Sequence, residues 1–219
     1  MRRSHTLATV LAALAALVTA LLTAPTASAA VPSAIRGGDV LYGSGGDTCT
    51  VGFNARSDST YYAIVSSSCT PNLFGGTWYA DPDRTVRVGM TAGYGLIRYI
   101  NIALSYPGEV SLGGGTTQDI TGSAAPHVGQ SVCHVGRSSG TRCGTVRQLN
   151  VTVQYPEGPV HGLFTSSACA QHGDNGGPAF SGTTALGLVV GGSGSCATGG
   201  TTYYQPITKV LADHGLRLY

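Results

Sequence analysis

The sequence predicts an all-β fold of two closed antiparallel barrels followed by a short C-terminal helix. The 219 residues include 33 glycines, and only 10% of the residues are charged. Short runs rich in β-branched and aromatic residues recur along the chain, separated by turn-forming residues. Helical spacing occurs only near the end. This composition favours a compact, exported β protein over a helical or disordered one.

The first 29 residues are predicted to be a secretory signal peptide. Arg2 and Arg3 begin it, Leu7–Leu22 is apolar, and Ala27–Ala29 is a small-residue cleavage site. The apolar run is shorter than a transmembrane helix, so no membrane association is expected after cleavage. Residues 30–219 are then predicted to form one extracellular trypsin-sized domain.

Charge excludes several classes of partner. Removing Arg2 and Arg3 from the 12 basic residues leaves ten, which balance the 10 acidic residues. No basic patch indicates nucleic-acid binding, and no charged run indicates a disordered tail. We therefore expect a monomer that needs no cofactor.

The predicted strands fall into two halves separated by the glycine-rich link Gly113–Thr117. The first half contains Cys49–Ala55, Thr60–Val65, Thr85–Gly89 and Leu96–Ile102; the second contains Ser131–Val135, Gly144–Tyr155, Val160–Thr165, Ala185–Val190 and Thr201–Tyr204. Pro206 is a favourable helix start and Gly215 a helix end. Many short strands with one terminal helix are typical of paired barrels.

The six cysteines of an exported chain predict three disulfides. Spacing alone leaves about fifteen pairings open. A metal site is the alternative, but the chain has no Cys-x-x-Cys spacing, and the histidines match no ligand motif.

The most informative segment is Gly173–Pro178, which reads Gly-Asp-Asn-Gly-Gly-Pro. Further motifs are Gly37–Asp39, Cys49–Asn54, Tyr94–Tyr99, Val132–Cys133, Cys143–Thr145, Gly191–Gly194 and Gly199–Pro206. With these motifs the chain resembles the chymotrypsin-like (trypsin-like) serine proteases, in the bacterial branch of the streptogrisins and α-lytic protease. The resemblance covers Ile35 to Tyr219.

That resemblance implies a fold, a cleft and a disulfide pattern. It implies two packed six-stranded antiparallel barrels at about 35–115 and 118–205, a helix at about 206–215, and an active cleft between the barrels. The implied disulfides are Cys49–Cys69, Cys133–Cys143 and Cys169–Cys196.

The resemblance also places the catalytic triad at Ser68, Gly93 and Asn175. Family members carry His, Asp and Ser there, because the chemistry needs an imidazole base, a carboxylate to orient it and a hydroxyl nucleophile. None of the three residues here can take its role. No histidine occurs between Ala30 and Pro126 that could substitute. The interpretation is a secreted, catalytically inactive protease homologue; the alternative is an active or residual endopeptidase that uses a rearranged site with one of the Ser66–Ser68 hydroxyls.

Binding elements remain after the catalytic groups are gone. The resemblance implies an oxyanion-hole remnant at Gly173 and Asn175, and a substrate-binding strand at Val190, Gly191, Gly192 and Ser193. Such a strand can pair with an extended peptide or protein ligand. A purely structural exoprotein without a ligand is the other non-enzymatic interpretation.

Asp174 is predicted to need a partner, since an unpaired buried carboxylate is costly. Family members often supply an arginine after the first cysteine of the middle disulfide, where this chain has His134. We therefore predict a pH-sensitive His134–Asp174 pair.

Overall fold

A computed structural model describes residues 32–71, 74–156 and 158–219. The predicted signal peptide lies outside these residues. The strands are β1 (Val40–Gly43), β2 (Thr48–Thr50), β3 (Phe53–Ser57), β4 (Thr60–Ile64), β5 (Phe74–Tyr79), β6 (Arg87–Ala92), β7 (Leu96–Tyr99), β8 (Glu109–Gly113), β9 (Thr116–Asp119), β10 (Gly122–Ser123), β11 (Ser131–Gly136), β12 (Gly140–Tyr155), β13 (Gly158–Ser166), β14 (Pro178–Ser181), β15 (Thr184–Ser195) and β16 (Gly199–Pro206). Helix α1 spans Ile207–His214, and a single 3-10 turn spans Ser67–Cys69.

The first sheet has the strand order β2-β1-β5-β6-β7-β4-β3. Its two end strands, β2 and β3, are consecutive in sequence and separated only by Val51 and Gly52. The amide of Val51 bonds to Asp39, and the amide of Gly52 bonds to Ile64. The bent segment from β2 to β3 therefore acts as one strand that closes a six-stranded barrel.

The second sheet has the order β10-β15-β14-β11-β12-β13-β16, and β15 also pairs with β16. That extra pairing closes a ring of six strands, with the two-residue β10 attached outside. The hairpin of β8 and β9 lies between the sheets in sequence. The predicted all-β fold with two six-stranded barrels and a C-terminal helix is confirmed.

One apolar cluster joins the barrels to each other. Phe53 and Ile64 of the first barrel pack with Leu188 of the second and with Ile207 of α1. The barrels approach so closely at Gly52 that a Cβ there would collide with the Leu188 side chain. Each barrel has its own further core, so the wall between them is continuous hydrophobic packing.

Strand ends differ from the sequence prediction where side chains bond to the backbone. The predicted strand Leu96–Ile102 ends at Tyr99. The Asn101 side chain donates to the Arg87 carbonyl and accepts from the Ala103 amide, which turns the chain away from the sheet. Strands β1, β5 and β14 were not predicted, because they are short and rich in glycine or interrupted by it.

Buried Asn54 ties the N-terminal segment and the inter-barrel connection to β3. Its Nδ2 donates to the carbonyls of Ile35 and Pro107 at 2.7 and 2.8 Å, and its Oδ1 accepts from the Tyr99 hydroxyl at 2.6 Å. No apolar side chain of this size can replace those three bonds.

Replacing Asn54 with Leu is expected to lower the free energy of unfolding by about 3 kcal/mol, because three buried groups lose their partners. Urea denaturation at neutral pH measures the change. The matched control is Tyr99→Phe, which removes one of the three bonds and is expected to cost about 1 kcal/mol. Equal losses in the two variants would contradict the role assigned to the Nδ2 bonds.

Candidate functional site

An open cleft of about 1010 Å³ contains the residues that the sequence singled out. Ser68 of the first barrel lines it together with Gly173, Asn175 and Val190–Gly192 of the second. Gly93 and Ser193 were also named from the sequence, but they are not among the lining residues. The candidate site therefore lies where residues from both barrels meet.

The loop that carries Asn175 is held from behind by a buried carboxylate. Asp174 is fully buried and accepts hydrogen bonds from the backbone amides of Ser138, Ser139 and Gln171 at 2.7–3.0 Å. Burial acts to raise the pKa of Asp174, but these hydrogen bonds outweigh it and hold the pKa below its usual value. The ionised carboxylate is thus satisfied by backbone donors alone.

Asn175 contacts Ser68 across the cleft. The Asn175 Nδ2 donates to the Ser68 Oγ at 3.2 Å, and Ser68 shares a second hydrogen bond of 2.8 Å with the Ser66 hydroxyl. These three side chains form a neutral polar chain. Neither an amide nor a serine hydroxyl takes up a proton near neutral pH.

Gly93 lies in the turn between β6 and β7 with a φ of +134°. This conformation is open to glycine and strained for residues with a Cβ. Two residues later, the Gly95 amide donates to the Thr70 hydroxyl at 2.7 Å, so the turn is bonded to the segment that follows Ser68. No carboxylate projects from position 93.

Two backbone donors of the loop are unused. Within the described part of the chain, the amides of Gly173 and Asn175 have no hydrogen-bond acceptor, although those of Asp174, Gly176 and Gly177 all do. Gly173 adopts a φ of +99°. Both residues are exposed in the cleft. Free, converging amides of this kind bind an oxyanion.

The second half of β15 is an open strand edge. From Gly191 to Ser195 it pairs with β16 on one side, and no strand among the described residues pairs with its other side. Just before it, the Gly176 amide donates to Val189 and the Val189 amide donates to Gly177, so the edge begins at the Asn175 loop.

Two cleft contacts were not foreseen from the sequence. The Tyr155 hydroxyl donates to the Val190 carbonyl at 3.3 Å, at the irregularity where β15 leaves register with β16. The Arg137 Nη1 donates to the Thr48 hydroxyl at 2.5 Å and thereby bridges the barrels. Neither residue lies in a recognisable motif, because both contacts depend on the paths of loops rather than on local sequence.

The predicted His134–Asp174 pair is wrong. The His134 Nδ1 bonds instead to the Tyr204 hydroxyl at 2.8 Å, and its Nε2 has no partner within the described residues. The Tyr204 hydroxyl also bonds to the Ser166 hydroxyl at 2.9 Å. Burial lowers the pKa of His134 to about 4, although the nearby Asp174 charge acts to raise it. The imidazole is therefore neutral at physiological pH.

The other histidines do not gather at a site. His127, His161, His172 and His214 are exposed, and His161 bonds to the Thr152 hydroxyl at 3.0 Å. In the described ranges no group of His, Cys, Asp and Glu side chains is arranged to hold a metal ion. A membrane-crossing helix is likewise absent from those ranges.

Disulfides brace both walls of the cleft. The three bonds are Cys49–Cys69, Cys133–Cys143 and Cys169–Cys196, the pairs that the resemblance implied. The first holds the 3-10 turn of Ser68 against β2, and the third ties the approach to the Asn175 loop to the end of β15. Three such bonds fit an extracellular, oxidising environment.

Comparisons with known proteins agree with this architecture. The family model described as Trypsin matches residues 104–212. Serine protease 2 of Streptomyces fradiae is 45% identical over 177 residues, which cover 77% of this chain and all of that protein. Streptogrisin-A of Streptomyces griseus is 42% identical over 182 residues, covering 83% of this chain but only 60% of that protein.

Solved structures give the same result. Alpha-lytic protease homolog N4 superposes with a TM-score of 0.76 at 52% identity, covering 85% of this chain and 100% of that chain. The crystal structure of Thermobifida fusca protease A superposes with a TM-score of 0.73 at 35% identity, covering 84% and 98%.

Buried His134 is expected to make folding stability depend on pH. Its pKa is about 4 in the folded protein and 6.5 as the reference for the unfolded chain. As pH falls from 6.5 to 4, the unfolded chain binds a proton that the folded chain rejects, so about 3 kcal/mol of unfolding free energy is lost. Urea denaturation across this range measures the slope.

His134→Gln is expected to flatten that slope, whatever its effect on stability at neutral pH. His161→Gln, at an exposed histidine, is the matched control and should keep the slope of the unmodified protein. Identical slopes in the two variants would show that His134 is not the responsible group.

Proposed function

Because this chain belongs to the trypsin-like serine protease family, we propose that it is a secreted, non-catalytic member that binds an extended peptide in the inherited cleft. The observation that carries the proposal is the hydrogen bond between Asn175 and Ser68. It occupies the place where the family's nucleophile and base would meet. Neither partner can deprotonate the other.

The chemical part of the proposal rests on the equivalence of Ser68, Gly93 and Asn175 with the triad. Acyl transfer needs a nucleophile, a base and a group that orients the base. A carboxamide cannot attack, a serine hydroxyl is no base, and glycine supplies no charge. Loss of a whole triad lowers turnover on the order of a millionfold.

The binding part rests on the open edge of β15. Unpaired backbone groups along a strand edge are a template for an added strand. The edge lies on a wall fixed by hydrophobic packing and by the Cys169–Cys196 disulfide. The cleft beside it is wide enough for an extended peptide. Peptide binding thus needs no group that the site lacks.

A residual hydrolase is the second candidate, and the names of the relatives favour it, since Serine protease 2 is 45% identical. It would use the Ser68 hydroxyl, which is exposed in the cleft. The observed partners of that hydroxyl are Ser66 and Asn175, and neither is a base. An activated serine therefore has no visible means of activation.

A fluorophosphonate probe separates the two candidates, because it labels only activated serines. We expect no labelling and no peptide hydrolysis above buffer in the unmodified protein, with an active trypsin as positive control. Ser68→Ala should behave identically. Stoichiometric labelling that disappears in Ser68→Ala would establish the hydrolase and reject the proposal.

Tyr155→Phe is expected to strengthen peptide binding, because the Val190 carbonyl is then free to accept from a peptide amide. The gain is expected to be roughly fivefold, the worth of one hydrogen bond of about 1 kcal/mol. Retention of an N-acetylated random tetrapeptide library on immobilised protein measures it. Tyr94→Phe, at an exposed tyrosine, is the control; a Tyr155→Phe variant that binds no better than this control would contradict the competition.

A further inference from the structure

We propose that the cleft recognises the free C-terminal carboxylate of its peptide ligand, held by the backbone amides of Gly173 and Asn175. This inference rests on the proposed peptide-binding function and narrows its ligand class. A protease must accept a chain that continues on both sides of the reacting carbonyl. A non-catalytic cleft has no such requirement and can bind a chain end.

The strand direction brings a peptide's carboxyl end to these amides. Strand β15 leaves the Asn175 loop at Val189 and runs outward through Ser193. A peptide that pairs antiparallel with this edge runs the opposite way, from Ser193 towards Val190. Its C-terminus therefore arrives at the loop.

The loop presents donors to that terminus. The amides of Gly173 and Asn175 have no acceptor in the described part of the chain. Their neighbour Asp174 does not compete as a negative charge facing the cleft, because it is fully buried and accepts three backbone bonds behind the loop. Two free amides side by side suit the two oxygens of a carboxylate.

Positive charge lies next to these donors. The Ser138 hydroxyl contacts Gly173, and Arg137 precedes Ser138. The Arg137 guanidinium is exposed and lines the cleft, while Asp47 is the one carboxylate among the lining residues. Neither forms an ion pair with the other among the described residues. Arg137 is thus available to a carboxylate.

The same arginine obstructs a longer chain. Its bond to Thr48 joins the two barrels on the Ser138 side of Gly173, away from the open edge of β15. A peptide that continued past the Asn175 loop would have to break this bridge. A peptide that ends at the loop leaves the bridge intact and gains its charge.

The test compares two forms of one probe. An N-acetylated random tetrapeptide library is prepared with a free C-terminal acid and with a C-terminal amide, and retention of each on the immobilised full chain is measured at neutral pH. The acid is expected to bind at least about tenfold more tightly, because charge-assisted hydrogen bonds are roughly twice as strong as neutral ones. The terminal amide also points N–H groups at donors.

Arg137→Gln is expected to reduce the preference for the acid severalfold and to leave retention of the amide form unchanged. Arg147→Gln, at an exposed arginine outside the cleft, is the matched control and should keep the full preference. Circular dichroism and thermal unfolding establish that both variants are folded before they are compared.

The outcomes distinguish this inference from the function on which it rests. Equal retention of acid and amide would overturn carboxylate recognition and leave peptide binding standing. Retention of neither form would reject both. A preference for the acid that Arg137→Gln does not reduce would place the carboxylate elsewhere and overturn the inference as well.

Discussion

The structure of the candidate site depends on the burial of the Asp174 carboxylate. A fully buried charge is tolerable only when it is paired or fully hydrogen-bonded, and here three backbone amides satisfy it. These bonds fix the path of Gln171–Gly177 and tie it to the turn after β11. The orientation of the Gly173 and Asn175 amides follows from this anchor, so the loop keeps its shape without a nucleophile.

Much of the fold followed from the sequence because its signals are local. Glycine-rich turns, β-branched runs and the Pro206–Gly215 helix boundaries are set by backbone chemistry near each residue. The closing strand was visible only in part, since β2 and β3 act as one strand through a bend at Val51–Gly52. The cysteine pairs needed the resemblance, because spacing leaves many pairings open.

The candidate site was harder to predict because its contacts join distant parts of the chain. His134 was paired with Asp174 on charge, yet the barrel brings Tyr204 to its Nδ1 from 70 residues away. The carboxylate had already been satisfied by backbone amides, which no side-chain pattern reveals. Tyr155 and Arg137 reach the cleft through long side chains on turns, where sequence gives no direction.

The conformation of Gly93 has an evolutionary consequence. With its φ of +134°, any side chain there costs on the order of 1–3 kcal/mol in backbone strain. Under the proposed equivalence, a reversion to aspartate would bring back the carboxylate on a backbone that no longer suits it. Point mutations can remove a catalytic group in one step, whereas recovery would also require the turn between β6 and β7 to be remodelled. Drift of the backbone thus makes the ancestral chemistry hard to regain.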